Sequence, residues 1–301
     1  MGRNVMSATQ TTSLWVDRLA VALRSWAGPA AAFEVVQTHR PDHLTGVLTY
    51  GRRRWFVKAY DPHSVADLRT ECRAYQRFTA RGLVPRMHHV DLEGRFLVTD
   101  LIDGGRLGVL TGSRLRSALQ TVPDLYTALT TGSPGAPPSH EAYWSAWTAI
   151  GSTAQHPDLP DPDQVLQITS TMAALHVHGD FQPSNILMAG DRPVAVDLES
   201  YGPDIPALDV ARLAYNPVLD LEAGERDALA WQMLDRLHFH GAPRTSARGL
   251  AACCVLWAVT CARYFQGVLR DQPDAAQHSP EVKVLATAPL QLASRLWHQE
   301  V

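Results

Sequence analysis

The spacing of apolar residues divides the chain into a first part with short strands and a second part that is mostly helical. Leu19, Ala22 and Trp26 recur at helical spacing, which predicts an amphipathic helix over 13–26. Runs rich in Val, Phe, Tyr and Trp then predict an antiparallel meander of three strands, followed by a helix and two more strands. These elements are predicted over 32–37, 46–50, 54–60, 64–81, 87–92 and 95–100.

The pair Gly104 and Gly105 follows the last of these strands and is the predicted boundary between two lobes. The pattern therefore predicts an α+β fold. Its N-terminal lobe, residues 1–103, holds a leading helix and a small antiparallel sheet. Its C-terminal lobe, residues 104–301, is mostly helical, with predicted loops over 131–140 and 156–163.

Composition narrows the class of protein. The chain has 301 residues, of which 46% are hydrophobic, and this suits two lobes with substantial cores. A net charge of -3 lacks the basic excess of a nucleic-acid binder. The longest apolar run, 250–262, is shorter than the roughly 20 residues that cross a bilayer, so it predicts a buried helix and no membrane partner. Four cysteines without a CxxC pair, and no apolar stretch of signal-peptide length near the start, favour reduced thiols in a cytoplasmic protein.

Lysine usage gives the first hint of chemistry. Of the 27 basic side chains only Lys58 and Lys283 are lysines, and Lys58 stands inside the apolar strand sequence WFVKAY. A compact ammonium differs from the planar fork of arginine, so a lysine kept at this place suggests a point charge with a role. Chance is the alternative explanation.

Charge is also distributed unevenly. Residues 1–99 contain 14 Lys or Arg against 8 Asp or Glu, whereas 117–191 contain 7 acidic residues and no Lys or Arg. A basic part suits an anionic nucleotide and an acidic part suits a polar or cationic substrate. Solvated surface loops of arbitrary sign explain the same counts equally well.

The most informative segment is HVHGDFQPSNILMAGDRPVAVDLES, residues 176–200. The stretches ILM and VAV predict two paired strands around the turn AGDRP, and such a hairpin returns Asp197 to the loop that holds Asp180 and Asn185. Carboxylate and amide oxygens converging in this way suit Mg²⁺. The chain's own composition makes a chance HGDxxxxN match rare, at about 6 in 10,000.

A rival interpretation takes His176, His178 and Asp180 as the HxHxD cluster of a dinuclear zinc hydrolase. That cluster would need to follow a strand and to be followed by further histidines. The preceding sequence ITSTMAAL is typical of the end of a helix, and Phe181 stands where another histidine is expected. A hydrogen-bonded loop residue is the ordinary alternative for each histidine.

The motif set resembles that of the aminoglycoside phosphotransferase family, small-molecule kinases that share the protein-kinase fold. Its catalytic loop, HGDxxxxN, is matched at 178–185, and its following metal-binding Asp is matched in VDLES. The other matches are a strand lysine, a helix glutamate and a later Asp that steadies the catalytic loop. In the order of the chain, the matching residues are Lys58, Glu71, His178, Gly179, Asp180, Asn185, Asp197 and Asp209.

The resemblance implies a two-lobed kinase-like fold and a role for each matched residue. Lys58, oriented by Glu71, would hold the α and β phosphates of ATP or GTP. Asn185 and Asp197 would bind Mg²⁺, and Asp180 would accept or orient the proton of the substrate hydroxyl. The strand RFLVTDLIDGG matches the hinge of the family, so the Asp100 carbonyl and the Ile102 amide would pair with the purine edge.

Two departures from the family pattern concern the nucleotide and the metal. The segment that would cover the nucleotide, THRPDHLTG, has a single glycine and lacks GxGxxG. Glu199 stands where DFG would end in glycine, so its carboxylate is either solvated or close to the metal.

The expected function is transfer of a phosphate from ATP or GTP to a free hydroxyl of a small molecule, foremost an antibiotic, by a cytoplasmic monomer or homodimer. The alternatives are a metabolite kinase of the choline, homoserine or fructosamine type and a nucleotide-binding regulatory pseudokinase. The acidic residues Asp158, Asp161 and Asp163 are candidates for attracting a cationic acceptor. Aromatic candidates for the acceptor region are Tyr143, Trp144, Trp147, Trp231, His238, Trp257, Tyr264 and Phe265.

Overall fold

The computed structural model describes residues 8–36, 43–137, 145, 147–148, 159–271 and 280–299. The chain divides into two compact units, Met1–Asp103 and Gly104–Val301. The first unit contains α1 (Ala8–Ala27), β1 (Ala32–Val36), β2 (His43–Tyr50), β3 (Arg53–Tyr60), α2 (Val65–Phe78), β4 (Met87–Asp91) and β5 (Phe96–Asp100).

The five strands of the first unit form one antiparallel sheet in the order β1-β2-β3-β5-β4. The predicted meander of the first three strands is therefore confirmed. β3 is central, and its residue Lys58 pairs with Thr45 of β2 on one side and Leu97 of β5 on the other. α1 packs through Leu19 and Leu23 against the apolar residues of β2, β3 and β5, which builds the core beneath the sheet.

α2 forms where the sequence predicts a helix, because Leu68, Cys72, Tyr75 and Phe78 recur at three- and four-residue spacing and all become buried. A short 3₁₀ turn follows, and the helix ends at Gly82 in the left-handed conformation. The same buried face carries Glu71, which is 1% exposed. α2 thus brings the Glu71 carboxylate into the otherwise apolar contact between this helix and the sheet.

Among the described residues, the second unit holds seven further strands and helices around the predicted motif and five helices toward its C-terminal end. The first group is α3 (Gly112–Leu129), β6 (Thr131–Gly135), α4 (Pro162–Ser170), β7 (Ala174–Val177), β8 (Ile186–Ala189), β9 (Arg192–Ala195) and β10 (Gly202–Asp204). The remaining helices are α5 (Pro206–Ala214), α6 (Ala223–Phe239), α7 (Ala247–Asp271), α8 (Pro280–Leu285) and α9 (Ala288–Gln299).

The predicted hairpin around AGDRP is confirmed, with β8 and β9 pairing antiparallel from Ile186↔Ala195 to Ala189↔Arg192. A second sheet, of order β10-β7-β6, was not predicted. Its strand β6 lies within the predicted loop 131–140, so the loop prediction is wrong for Thr131–Gly135. Residues 138–140 lie outside the described residues. β6 is an exposed edge strand with an irregular register, a setting that tolerates the glycines and proline that argued for a loop.

The prediction for ITSTMAAL was half right. α4 ends at Ser170, but Ala174–Val177 is a strand that pairs with β6 and β10. The HxHxD segment therefore does follow a strand, contrary to the expectation from sequence. The four-residue strand is too short for its apolar pattern to be distinguished from the end of a helix.

α7 is long and apolar enough to cross a membrane by length and composition alone, which is weak evidence because core helices pass the same test. Half of its most apolar stretch is buried in the structure. The predicted run 250–262 lies within this helix, and its residues from Leu250 to Val259 are buried. The prediction of a buried helix there is confirmed.

Candidate active site

Asp180 and Asn185 lie at the two ends of a tight loop that connects β7 to β8. The loop contains a 3₁₀ turn, Pro183–Asn185, in which the proline fixes the first backbone angle. Asn185 donates through Nδ2 to Asp180 Oδ2 at 2.8 Å and to the Asp180 carbonyl at 3.0 Å. Gln182 Nε2 donates to the same carboxylate oxygen at 2.9 Å. Two amide donors therefore orient the Asp180 carboxylate.

The hairpin returns the chain to this loop, as the sequence predicts. The Val196 amide donates to the Asn185 carbonyl at 3.0 Å, so Asp197 follows directly after the contact. Asp197 has a φ of 64°, a left-handed conformation that few residues other than glycine adopt and that Asp and Asn tolerate best. Such an outlier is often kept for function, because the surrounding fold must hold it in place.

Asp197 and Glu199 each place a carboxylate oxygen within 4.8 Å of the other. The two carboxylates, and Asn185 on the loop that Val196 contacts, offer oxygen ligands, the chemistry that suits Mg²⁺. Glu199 is half-buried, so its side chain is not fully solvated. Its predicted proximity to the metal stays a prediction. The residues present fit a hard divalent cation.

Asp209, on α5, supports the loop from below. It is fully buried and accepts the backbone amides of Gly179 at 2.9 Å and Phe181 at 3.2 Å. Arg212 donates to it at 2.7 Å and lies 3.6 Å from Asp204. Burial raises the pKa of Asp204 in spite of this opposing arginine. These hydrogen bonds are the contacts that the steadying role predicted for Asp209 requires.

The two nitrogens of His178 are both used by the backbone. Nε2 lies 3.0 Å from the Val196 carbonyl, and Nδ1 accepts the Asp180 amide at 3.3 Å. The imidazole is completely buried, so it braces the loop and has no nitrogen left for zinc. Within the described part of the chain, no group of three candidate metal ligands includes a histidine. The dinuclear zinc hydrolase is not supported.

The first unit holds the predicted Lys58 and Glu71 together. Lys58 Nζ lies 3.1 Å from Glu71 Oε2, and both side chains are almost fully buried. Sequence reasoning missed a third member, Tyr60, whose hydroxyl donates to the same Oε2 atom. Its signal was present in WFVKAY, since residues two apart on a strand face the same side. Direct proximity of Lys58 and Glu71 is what their predicted roles require, although the roles themselves stay predictions.

The predicted hinge residues follow the end of β5. Asp100 is its last residue, and its carboxylate lies 2.6 Å from His88 Nε2. The Asp100 amide donates to the Arg86 carbonyl at 2.9 Å, which ties the strand end to β4. Ile102 lies two residues beyond the strand and is half-buried. The predicted pairing of the Asp100 carbonyl and the Ile102 amide with the purine edge stays a prediction.

The acceptor candidates separate into core and surface residues. Trp147 and Trp257 are buried, whereas His238 and Tyr264 are exposed. Trp231 and Phe265 are half-buried, and Tyr143 and Trp144 lie outside the described residues. The buried pair follows the general preference of aromatic residues at helical spacing for the core.

α7 also passes within electrostatic range of the catalytic loop. The pKa of the Cys261 thiol is raised to about 12, first by burial and second by the negative charge of Asp180. Of the acidic candidates, Asp161 caps α4 by accepting the Asp163 amide at 2.9 Å, and Asp158 lies outside the described residues.

The profile of the phosphotransferase enzyme family matches residues 42–245, about two thirds of the chain. The chain belongs to this family. The match spans the lysine strand, the HGDxxxxN loop and the hairpin, and it ends within the helical C-terminal part. The protein is accordingly a small-molecule phosphotransferase with a nucleotide as one substrate, and the resemblance seen in the sequence is confirmed.

Solved structures of small-molecule kinases have the same fold. The choline kinase LicA from Streptococcus pneumoniae aligns with a TM-score of 0.63 and 12% identity, covering 93% of this chain and 99% of that one. A choline/ethanolamine kinase family protein from Mesorhizobium loti aligns with a TM-score of 0.63 and 16% identity, covering 94% of each chain. An aminoglycoside phosphotransferase from Streptomyces rimosus aligns with a TM-score of 0.57 and 18% identity, covering 81% and 98%.

These likenesses confirm the predicted two-lobed, kinase-like α+β fold, and at such low identity they show the fold alone. A comparison with curated protein sequences finds no significant match. The choice of acceptor must therefore be argued from the residues of this chain.

Proposed function

We propose that this phosphotransferase moves the γ-phosphate of ATP or GTP, bound with Mg²⁺, to a free hydroxyl of a small molecule. The observation that carries the proposal is the pairing of Asp180 with Asn185 on a loop to which the hairpin returns Asp197. A proton acceptor and two oxygen ligands for a cation are then held by one short segment. Phosphoryl transfer needs this combination, because the protein contributes positioning and charge more than covalent chemistry.

Asp180 is the proposed proton acceptor. Asn185 and Gln182 both donate to its Oδ2, which orients the carboxylate so that the acceptor hydroxyl can approach it. The backbone on either side is fixed by Asp209 through Gly179 and Phe181. The base is therefore held before substrate arrives, which lowers the cost of reaching the reactive geometry.

Asn185 and Asp197, with Glu199 as a third candidate, are the proposed ligands of Mg²⁺. Because the Asn185 amide nitrogen donates to Asp180, its Oδ1 is the atom suited to face a cation. When bound, the metal would neutralise charge on the nucleotide phosphates and hold them in place. Asp197 brings the negative charge that makes this attraction strong at neutral pH.

Lys58 is the proposed ligand of the α and β phosphates, with Glu71 fixing its ammonium at 3.1 Å. The backbone of Asp100 and Ile102 is the proposed contact of the purine edge. Both assignments follow the family pattern. The buried ion pair of Lys58 and Glu71 supports the phosphate contact, and the position of Asp100 at the end of β5 supports the purine contact. The four cysteines are free, which supports the proposed cytoplasmic location where ATP and GTP are available.

For the acceptor we retain an antibiotic with a free hydroxyl as the first candidate and a metabolite such as choline, homoserine or a fructosamine as the second. The acidic segment 117–191 supports a polar or cationic molecule of either kind. Asp180 is the residue beside which we place its hydroxyl. We infer action as a monomer or homodimer, with no nucleic-acid or membrane partner.

The proposal is tested with a panel of hydroxyl compounds that includes aminoglycoside, peptide and nucleoside antibiotics together with choline, homoserine and a fructosamine. Each is incubated with Mg²⁺ and either ATP or GTP, and the products are read by mass for an added phosphate. The expected result is one acceptor class that gains a phosphate with wild-type enzyme and none with Asp180→Asn. Equal phosphate gain by the variant would contradict the assignment of Asp180, and hydrolysis without any adduct would contradict transfer to a hydroxyl.

A further inference from the structure

Tyr60 closes a three-membered cluster in the first unit. Its hydroxyl donates to Glu71 Oε2, the oxygen that Lys58 Nζ approaches to 3.1 Å. Tyr60 and Lys58 stand two residues apart on β3 and therefore project from the same face of the sheet toward α2. One carboxylate oxygen is thus shared by an ammonium and a phenol from the same strand.

The cluster is shielded from water. Tyr60 is fully buried, and Lys58 and Glu71 are 4% and 1% exposed. A buried carboxylate needs more than one donor to offset the loss of its water, and a buried phenol also needs a partner. Tyr60 meets both needs through a single hydrogen bond. Its ring also contacts the cation, with Lys58 Nζ 5.1 Å from the ring centroid.

Tyr60 itself has little freedom to move. It belongs to an apolar cluster with Leu68, Cys72 and Leu97 that joins α2 to the sheet. His43, its partner in the register of β2, packs its ring at 6.2 Å from the tyrosine ring. A side chain fixed in this way can transmit its orientation to Glu71, which a flexible one could not.

We propose that Tyr60 is a positioning residue that controls Lys58 through Glu71. The phenol fixes Oε2 of the carboxylate, and the fixed carboxylate keeps the ammonium oriented for the nucleotide phosphates. This inference rests on the proposed function for the phosphate contact, whereas the control of Lys58 rests on the cluster alone. A tyrosine that merely fills the core would have no such effect.

Tyr60→Phe removes the hydroxyl and keeps the packed ring. The KM for nucleotide rises about tenfold, the size expected when a hydrogen bond to a charged group is lost, while the KM for the acceptor stays unchanged. The matched control is Leu68→Val, which loosens the same cluster but leaves both donors to Glu71 in place. It lowers the melting temperature and leaves the nucleotide KM unchanged. A nucleotide KM unaffected by Tyr60→Phe, or raised as much by Leu68→Val, overturns the proposal.

Combination with Glu71→Gln tests the route of the effect. If Tyr60 acts through the carboxylate, Tyr60→Phe adds much less to the nucleotide KM once the carboxylate charge is gone. A full tenfold rise on top of Glu71→Gln means that the two residues act independently, which contradicts positioning through Glu71.

The two lysines of the chain allow a test that needs no activity. Wild-type protein and Tyr60→Phe are treated briefly with acetic anhydride, and the acetylation of Lys58 is measured by peptide mass relative to that of exposed Lys283. The ratio is expected to rise several-fold in the variant. Acetic anhydride is attacked by the neutral amine, which loses its proton and releases acetate, and a lysine held less firmly by Glu71 reaches that reactive form more often. An unchanged or lower ratio overturns the proposal. If wild-type enzyme phosphorylates no acceptor, the proposed function fails, and the ratio still decides the role of Tyr60.

Discussion

Asn185 donates its side-chain amide to Asp180, with 2.8 Å between Nδ2 and Oδ2. The residue proposed to ligate the metal is therefore also the residue that orients the proposed base. The two residues are five positions apart on a loop with a 3₁₀ turn, so they cannot shift independently. Because of this coupling, we expect the segment to tolerate little change in spacing.

Asp180→Asn is expected to lower kcat by about 10²- to 10⁴-fold, the usual contribution of a positioned base, while nucleotide binding is retained. The amide can rotate so that its oxygen still accepts from Asn185 and Gln182, and the loop keeps its shape. Steady-state kinetics and calorimetric nucleotide binding measure the two quantities. Asp191→Asn, in the exposed β8–β9 turn, is the matched control and keeps wild-type kcat. Retained turnover in Asp180→Asn would remove this residue from the base role.

Much of this site could be predicted because its information is local. The strand pattern of ILM and VAV and the turn between them fix the hairpin, and the hairpin fixes the return of Asp197. The first sheet was likewise predictable, because its strands are rich in Val, Phe, Tyr and Trp and are separated by turns or a helix. Strand ends moved by at most three residues, as at β2, which begins at His43 and not at Gly46.

The parts that could not be predicted depend on tertiary contacts. β6, β7 and β10 have three to five residues each, and β6 and β10 also contain Gly and Pro, so no periodicity identifies them. The sequence WFVKAY shows that Tyr60 shares a face with Lys58, but not that α2 places Glu71 opposite both. The left-handed backbone of Asp197 has no pattern of its own, because the hairpin and the next turn impose it.

Asp197→Asn is expected to weaken Mg²⁺-dependent nucleotide binding by about tenfold or more, since even indirect changes around a metal ligand cost that much. Asn tolerates the left-handed backbone at this position, so the loop should keep its structure. Nucleotide affinity is titrated across a series of Mg²⁺ concentrations. Affinity without Mg²⁺ is the internal control and stays at its wild-type value. Wild-type Mg²⁺ dependence in the variant would show that Asp197 is not a ligand.

Lys58→Arg conserves charge and changes only shape. Lys58 is only 4% exposed, so its site is too small for a guanidinium, which cannot keep the contact that Lys58 Nζ makes with Glu71. The value of kcat/KM for nucleotide is therefore expected to fall about 10- to 100-fold. Lys283→Arg, on the exposed surface of α8, is the matched control and leaves kinetics unchanged. Equal and near wild-type kinetics in both variants would mean that Lys58 is an ordinary lysine in an arginine-rich chain.

Asp204 provides a prediction about pH. Its pKa is raised by burial, so the folded state binds the proton more tightly than the unfolded state does. The stability that this proton gives is present at acid pH and is lost as pH rises through the folded pKa. Asp204→Asn should therefore raise the melting temperature at neutral pH, and the gain should shrink as the pH falls toward about 4. Asp191→Asn is the exposed control, and a gain that grows toward acid pH would contradict the stated direction.

Gly179 and Gly190 allow the catalytic loop to be tested for close packing. Both have left-handed backbones, with φ of 81° and 65°. A Cβ on Gly190 meets nothing within 4 Å, whereas one on Gly179 would lie 2.3 Å from the Ser200 carbonyl oxygen. Gly190→Ala should cost only the strain of its backbone, about 1–2 kcal/mol of unfolding free energy. Gly179→Ala adds a clash that displaces its amide from Asp209, so it should cost more.

Denaturant unfolding measures the two free energies, and kinetics on the folded fraction measure kcat. Gly179→Ala is expected to lower kcat as well, because Asp180 follows the displaced amide and loses its orientation. Gly190→Ala has the same kind of backbone strain at the tip of the hairpin and should keep kcat. Equal losses of stability and equal kcat in the two variants would show that the loop has room beside Ser200 and that the contact with Asp209 does not set the position of the base.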